Sequence, residues 1–194
     1  MKRYKSSFFF YIASFILLLP VDAEASEKNY YMTVYGAMQT EEDIWGAFLP
    51  TKFASDYYFF AVAAGKKIGS WRDYLDFEVE GQAVKHFGKQ THYEFNAAFV
   101  VRWLKFPWDK YLDTSFAIGE GLSLATEIPE LELELHGKAA KFLNYLLVEL
   151  AFEVPGTKNW SMIFRIHHRS GAFGLFQDIY GASNALGVGI RYDF

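Results

Sequence analysis

The sequence contains no cysteine, so no disulfide bond contributes to the stability of this fold. Its charge excess is small as well, with a formal net charge of −4 at pH 7. Nucleic-acid-binding proteins usually present a basic surface, and this balance argues against nucleic acid as a partner. Glycine-rich phosphate loops and dinucleotide-binding motifs are also absent from the sequence, so we expect no cofactor.

After the N-terminal segment, the sequence has no apolar run that is long enough for a membrane-spanning helix. The N-terminal segment itself has basic residues within its first five positions, an apolar run over 8–19, and a small-x-small site at Ala23-Glu24-Ala25. This pattern predicts a signal peptide over residues 1–25 and an exported domain over 26–194. The alternative, an uncleaved anchor helix, would need a longer apolar run.

Aromatic residues, in contrast, are abundant and make up 20% of the chain. In two segments, aromatic and other apolar residues alternate with polar residues with a period of two. Leu75, Phe77 and Val79 fall on one face of the first segment, and acidic residues occupy the other face. The second segment, 91–104, places aromatic and aliphatic residues from Tyr93 to Trp103 on one face. A period of two predicts β-strands and excludes amphipathic helices.

Strand-like segments of this kind recur along the chain. We predict eight, at about 30–38, 57–67, 73–86, 91–104, 112–124, 142–154, 159–168 and 183–194. Connections 39–56, 125–141 and 169–182 are long, whereas 68–72, 105–111, 155–158 and 87–90 are short. An even strand count with long loops at one end is typical of bacterial outer-membrane barrels, whose periplasmic turns are short. We therefore predict an eight-stranded antiparallel transmembrane β-barrel.

The polar faces of these strands suit the interior of such a barrel. Acidic residues can meet basic ones there; the predicted inward set is Asp76, Glu78, Glu80, Glu94, Glu149, Glu153, Arg102, Arg165 and His167. Small residues from Ser115 to Ser123 would line a narrow part of the lumen. Glu120 fits poorly, because the same alternation directs it outward. The segment 129–135 is read as an extension of a hairpin above the membrane.

The last segment alternates up to the terminal aromatic residue, Phe194. This ending resembles the closing strand of bacterial outer-membrane barrels. A soluble, lipocalin-like barrel with its apolar face inward, acting as a periplasmic lipid carrier, would explain the alternation equally well. It would not explain the uneven connection lengths.

The seventh predicted strand ends in an unusual way. Its apolar face, continued in steps of two, reaches His168 and then Ser170, so that both should face lipid at the outer rim of the barrel. An imidazole is the usual base that activates a serine hydroxyl. A serine activated at this depth would meet the esters of membrane lipids.

On these residues the chain resembles the outer-membrane lipid A deacylases of the PagL type, the acyloxyacyl hydrolases. These are eight-stranded barrels with a His-x-Ser motif near the C-terminus, matched here by His168-Arg169-Ser170. The resemblance implies a serine hydrolase in the outer membrane that removes an acyl chain from lipid A in lipopolysaccharide. Ser170 would be the nucleophile and His168 the general base and acid.

The sequence departs from the family at two places. The family motif continues Ser-Asn-Ala-Gly, but here Gly171 follows the serine, and its backbone N–H would serve the oxyanion. The family places a glutamate at the start of the last strand to orient the histidine, and Asn184 stands at the matching position. An asparagine can fill that role. Asp178 in the preceding loop is the second candidate.

Other readings remain open from the sequence alone. His168 could be an interfacial residue and Ser170 a turn residue, in which case the barrel would be non-catalytic, with a structural or adhesive role. Arg169 is expected to bind a phosphate or a neighbouring acid. His86 and His92 flank one hairpin, but without a third ligand nearby they predict no metal site. Whether the chain forms a homodimer is not determined by the sequence.

Overall fold

The computed structural model describes residues 29–48, 50–157 and 159–194, and the predicted signal peptide over 1–25 lies outside them. Eight strands make up most of this part: β1 (Tyr30–Thr40), β2 (Phe53–Trp71), β3 (Leu75–Gly88), β4 (Tyr93–Trp103), β5 (Thr114–Ala125), β6 (Phe142–Glu153), β7 (Trp160–Ser170) and β8 (Ala182–Asp193). One helix, α1 (Glu130–His136), and a single 3₁₀ turn (Gly46–Phe48) lie in the connections. Within the described ranges, no helix has the length and apolar character needed to cross a membrane.

The eight strands form one closed antiparallel barrel in sequence order. Closure is made by β1 and β8, where the backbones of Tyr30 and Phe194 exchange two hydrogen bonds of 3.0 and 2.8 Å. Every strand thus has two neighbours, and no edge is left with unpaired backbone groups, as a membrane-spanning sheet requires. The predicted eight-stranded antiparallel transmembrane barrel is confirmed.

Strand β2 is longer than its predicted span of 57–67. The predicted strand ends at Lys67, because two lysines, Lys66 and Lys67, interrupt the apolar alternation there. The strand instead continues to Trp71 through a register shift between Lys67 and Gly69. Such a bulge lets a strand go on pairing while its side-chain alternation is reset, so the sequence period is lost although the strand is not.

The two ends of the barrel differ in their connections. Residue 29, residue 194 and the connections 72–74, 104–113 and 154–159 lie at one end. The connections 41–52, 89–92, 126–141 and 171–181 lie at the opposite end, which we call the distal end. Three of the four distal connections are long, as predicted. The connection 104–113 is longer than expected because β4 ends one residue earlier, and β5 begins two residues later, than predicted.

The outward face of the barrel is apolar. Exposed side chains there include Met32, Phe60, Val79, Phe95, Ile118, Leu122, Met162, Phe164, Val188 and Ile190. Charged and polar side chains point inward instead, which is the reverse of a lipid carrier. The lipocalin-like alternative is therefore wrong, because among the described residues the apolar strand faces point outward and ion pairs occupy the middle of the lumen.

A network of ion pairs fills the middle of the lumen. Arg165 is completely buried and binds Glu80 at 2.6 Å and Glu149 at 2.6 Å. Arg102 donates to Glu78 at 3.0 Å and to Glu149 at 2.8 Å. Arg191 adds a 2.9 Å bond to Glu78, so three guanidinium groups meet three carboxylates. The predicted pairing of inward acids with Arg102 and Arg165 is confirmed.

The segment around 129–135 does not extend a hairpin, and this prediction was wrong. It forms α1, whose C-terminus is capped by Gly137 at φ 69°, with the N–H of Gly137 donating to Leu133 O at 2.8 Å. Leu131 and Glu132 are adjacent in sequence yet both buried, which a strand with one buried face does not allow. Helix α1 thereby covers the distal mouth of the lumen.

The central network makes a direct prediction for stability. Replacing Arg165 by methionine leaves Glu80 and Glu149 without their main partner, and we expect the free energy of unfolding to fall by about 3–5 kcal/mol. Urea unfolding of the barrel in lipid vesicles measures this change. The control is Phe164→Leu on the outward face of the same strand, which should cost less than about 1 kcal/mol. Equal unfolding midpoints for Arg165→Met and wild type would contradict a stabilising role for the network.

Candidate functional site

The outward face carries one group of polar side chains near its distal end. His168 pairs with Asn184 across β7 and β8, and Ser170 pairs with Asn144 across β7 and β6. Glu120 lies one strand further, opposite Leu146, which in turn lies opposite His168. We call the five polar residues the outward polar patch: Glu120, Asn144, His168, Ser170 and Asn184. The register makes it continuous over four strands.

The position of the patch is costly for a membrane protein. A polar side chain that faces hydrocarbon loses its hydration, and such residues in membrane proteins commonly mark functional sites. In the sequence pattern Glu120 is an isolated exception, and nothing in that pattern points to Asn144. Their common signal was available in the strand pairing, because both are the polar exceptions on the outward faces of neighbouring strands.

His168 and Asn184 are held together by a short hydrogen bond, with 2.7 Å between His168 Nδ1 and Asn184 Oδ1. The other end of the amide is also fixed, since Asn184 Nδ2 donates to the carbonyl oxygen of Glu42 at 2.9 Å. With Nδ2 as the donor to Glu42, Oδ1 must be the acceptor facing His168. The proton of the neutral imidazole therefore lies on Nδ1, and Nε2 carries the lone pair.

This tautomer is the one that a general base needs. His168 is 8% exposed, and among the described residues no group donates a hydrogen bond to its Nε2. Asn184 is more deeply buried, beneath the connection 41–52 that its amide holds in place. Residue type and strand pairing together thus produce an oriented imidazole on the outward face.

Ser170 lies two residues beyond His168 on the same face of β7, at about 7 Å between Cα atoms. Its side chain is partly exposed. Within the part of the chain that the structure describes, no hydrogen bond joins the Ser170 hydroxyl to His168. The structure thus places the two residues side by side on one face without the hydrogen bond of an assembled pair.

Gly171 follows directly, at the turn into the connection 171–181. Its N–H donates to Gly181 O at 3.2 Å, and its carbonyl accepts from Phe176 N at 3.0 Å. A Cβ atom at this position would lie 1.9 Å from Ile179 O, so only glycine fits. The N–H expected to serve an oxyanion is therefore engaged in holding the loop closed.

The next residue, Ala172, was not singled out by the sequence. It has a positive φ of 46°, as do Phe173, Gln177 and Asp178 in the same connection. Such φ values are strained for residues other than glycine and concentrate at ligand-binding and catalytic loops. In the described segments the N–H of Ala172 makes no hydrogen bond, so it is a free donor two residues from Ser170.

Asp178, the second candidate for orienting His168, is exposed in this connection. Over the described ranges it makes no hydrogen bond to His168, whose Nδ1 is already bonded to Asn184. Between the two candidates, the geometry therefore places only Asn184 against the histidine.

Arg169 and His167 point the other way, into the lumen, as the alternation of β7 requires. Arg169 binds Glu132 of α1 at 2.5 Å and Ser123 at 2.7 Å. Its expected pairing with a neighbouring acid is confirmed. Burial raises the pKa of Glu132, while the Arg169 guanidinium acts in the opposite direction.

Five apolar side chains lie on the two distal connections that flank the patch. Trp45 and Phe48 belong to 41–52, and Phe173, Leu175 and Tyr180 belong to 171–181. Their exposed fractions range from 47% for Phe48 to 80% for the three in 171–181. We call this set the apolar rim. It forms an exposed apolar surface on the connections next to His168 and Ser170.

Comparisons with known proteins identify the fold. No family model matches the chain, and no curated protein matches its sequence. Neisserial surface protein A has a similar structure, with a TM-score of 0.52 and 13% identity over 85% of this chain and 97% of that one. The N-terminal β-barrel domain of Pseudomonas aeruginosa OprF (TM-score 0.47, 9% identity, 86% and 97% covered) and Ail of Yersinia pestis (0.29, 10%, 85% and 97%) are more distant. The similarity to the neisserial protein is one of fold, that of a small outer-membrane barrel.

The amide of Asn184 makes a prediction for the neighbouring loop. Asn184→Ala removes the bond to Glu42 O, which is worth about 1 kcal/mol, and hydrogen–deuterium exchange over 41–52 should become several times faster. The matched control is Asn159→Ala at the opposite end of the barrel, which should leave exchange in this segment unchanged. Unaltered exchange in Asn184→Ala would show that the amide does not hold the loop.

Proposed function

We propose that this chain is an outer-membrane esterase that removes an ester-linked acyl chain from lipid A. The observation that carries the proposal is the His168–Asn184 hydrogen bond, which presents an oriented, unprotonated Nε2 on the outward face beside Ser170. The His168-Arg169-Ser170 motif supports the same reading, through its resemblance to the lipid A deacylases described above.

In the proposed reaction His168 Nε2 takes the proton of the Ser170 hydroxyl as the oxygen attacks the ester carbonyl. The two residues share the outward face of β7 two positions apart, which is close enough for their side chains to meet. Collapse of the tetrahedral intermediate breaks the ester C–O bond, and His168 gives the proton to the departing alcohol. Water, activated by the same imidazole, then releases the fatty acid from Ser170.

Asn184 has two roles in this scheme. It keeps the proton on Nδ1 and it accepts a hydrogen bond from the imidazolium that forms during attack. As a neutral group it stabilises that cation less than a carboxylate would. The negative charge on the substrate oxygen would be met by the N–H of Ala172, and by that of Gly171 if the long bond to Gly181 opens.

The location of the site supports a lipid substrate. His168 and Ser170 face outward, where a lipid ester arrives from the side, and the apolar rim can receive its acyl chain. Both lie at the distal end, which faces the cell exterior if residues 29 and 194 are periplasmic, as in barrels of this kind. The outer leaflet there is rich in lipid A, and this favours lipid A over phospholipid as the substrate.

Two observations favour the second candidate, a non-catalytic barrel with a structural or adhesive role. Ser170 and His168 are not hydrogen-bonded within the described residues, and the N–H of Gly171 is engaged with the loop. In that case His168 and Asn184 would serve to hold the connection 41–52 against the barrel, and Ser170 would be dispensable.

Mass spectrometry of lipid A from expressing cells distinguishes the two candidates. We expect cells with the wild type to lose one ester-linked chain, and cells with Ser170→Ala or His168→Ala at equal outer-membrane levels to retain it. Ser161→Ala, at the other end of the same strand, is the matched control and should behave as wild type. Full acylation in cells that carry folded wild-type protein would reject lipid A as the substrate.

A second variant tests the role of Asn184. Asn184→Asp keeps an acceptor at His168 Nδ1 and adds a negative charge beside the developing imidazolium, while it loses the donor to Glu42 O. We expect the rate of deacylation per folded barrel to rise on the order of tenfold, equivalent to about 1.4 kcal/mol. A rate that falls as far as in Asn184→Ala would mean that the loop tether, and not support of the imidazole, is what the reaction needs.

A further inference from the structure

A second cluster of chemically active side chains lies inside the lumen, beneath α1. It consists of His86 near the end of β3, His92 just before β4, and Glu94 on β4, all fully buried. Each offers one ligand atom, and these atoms lie within 4.8 Å of one another. The prediction that no third ligand lies near the two histidines was wrong. Glu94 shares the inward face with His92, two positions away.

The spacing of these atoms suits a small cation. His86 Nε2 and Glu94 Oε2 are 3.1 Å apart. Ligands bound to zinc at about 2.0–2.1 Å in a tetrahedron are themselves about 3.3 Å apart. Two histidines and one glutamate form a donor set that zinc uses in proteins, with the fourth position open. The rings of His86 and His92 stack at 4.2 Å between centroids, which keeps the second imidazole close to the first.

His92 provides an independent observation. It is 2% exposed, and its Nε2 has no hydrogen-bond partner among the described residues. Leaving a buried polar atom unpaired costs about 1–3 kcal/mol. Glu132 Oε2 and Gln39 Oε1 are unpaired in the same sense, and both residues line the small cavity that His86, His92 and Glu94 also line. Several unpaired electron-pair donors around one cavity indicate a ligand that accepts electron pairs.

The charges around the cavity favour a cation. In the middle of the lumen three arginines balance three glutamates, as described above. Around the distal cavity, the described residues include two buried carboxylates, Glu94 and Glu132, and one guanidinium, Arg169. With neutral histidines the cluster carries one excess negative charge in a region of low dielectric. A cation bound between the ligands would be stabilised by that excess.

Neighbouring groups already orient two of the three ligands. Glu94 Oε1 accepts hydrogen bonds from Ser123 at 3.0 Å and from His167 at 2.9 Å, which leaves Oε2 turned toward His86. Gln90 bonds His86 Nδ1 at 3.1 Å and accepts a long 3.4 Å bond from Leu131 N–H. A metal on His86 Nε2 would shift the ring proton to Nδ1. Gln90 would then turn its amide oxygen toward it, as groups around metal-bound histidines commonly do.

We propose that His86, His92 and Glu94 bind a divalent transition-metal ion of the zinc type inside the distal mouth of the barrel. The fourth position is left to Glu132 or to water. The ion would link β3 and β4 beneath α1, which closes the mouth. This site lies in the lumen, on the opposite side of the barrel wall from His168 and Ser170, and it does not depend on the proposed esterase activity.

Zinc titration of the untagged, folded full-length barrel in detergent tests the proposal. We expect one zinc ion per chain by calorimetry, and cobalt as a substitute should show the strong visible absorption of a tetrahedral site. His92→Ala and Glu94→Gln should each weaken zinc binding by at least about a hundredfold, and Gln90→Ala by about tenfold. His136→Ala, which alters an exposed histidine on α1 outside the cluster, is the control and should bind as wild type.

The results of this titration distinguish loss of the metal site from failure of a variant to fold. Absence of stoichiometric zinc binding by the wild type would overturn the proposal, as would undiminished binding by His92→Ala. Circular dichroism of each variant checks that the barrel has folded, and His92→Ala is the mildest change because its Nε2 has no partner to lose. The cobalt spectrum of the wild type needs no variant at all, so a failure of any one variant to fold leaves the test intact. Lipid A deacylation is not a readout here, which keeps the two proposals distinct.

Discussion

The inward ion pairs are the interaction on which the rest of this structure depends. Arg165 is buried completely, and its charge is tolerable there only because Glu80 and Glu149 bind it from two sides. Once the charged face of each strand is committed to the lumen, the apolar face must point outward, and the outside of the barrel must be lipid. The same network occupies the middle of the lumen, so the apolar surface of the described barrel lies on its outer wall.

The outward polar patch gains its significance from that constraint. On a soluble protein, a histidine, a serine and an asparagine on one surface would be ordinary. Here they interrupt a wall of aliphatic and aromatic side chains, and two of them are fixed by short hydrogen bonds. Burial of Asn184 beneath the connection 41–52 reduces the cost of placing its amide at this depth, since both ends of the amide are paired. Within the described residues, the amide of Asn184 is thus paired at both ends, and the imidazole of His168 is bonded through Nδ1 alone.

The sequence predicted the parts of this arrangement that depend on strand periodicity. The faces of His168 and Ser170, and the pairing of Asn184 beside them, follow from counting in steps of two along neighbouring strands. The predictions from sequence failed where strand periodicity does not determine the local structure. Leu131, Leu133 and Leu135 alternate as in a strand, yet tertiary burial of Leu131 and Glu132 and the cap at Gly137 make a helix. The hydrogen bond from Gly171 N–H to Gly181 O depends on how the loop packs, which the spacing of residues does not reveal. Glu94 was assigned correctly to the lumen, but its closeness to His86 emerges only from the register of β3 with β4.

Strand β7 carries polar side chains on both faces of the barrel wall. His168 and Ser170 point outward, and Arg169 between them points inward to Glu132 and Ser123. Because Arg169 is anchored to α1 and to β5, the backbone on either side of it has little freedom to twist or slip. Any slip by one residue would exchange the two faces and move the arginine into lipid. The inward anchor thus fixes the depth and direction of the outward pair. It also joins α1, which covers the distal mouth above the proposed metal site, to the strand that carries the proposed nucleophile.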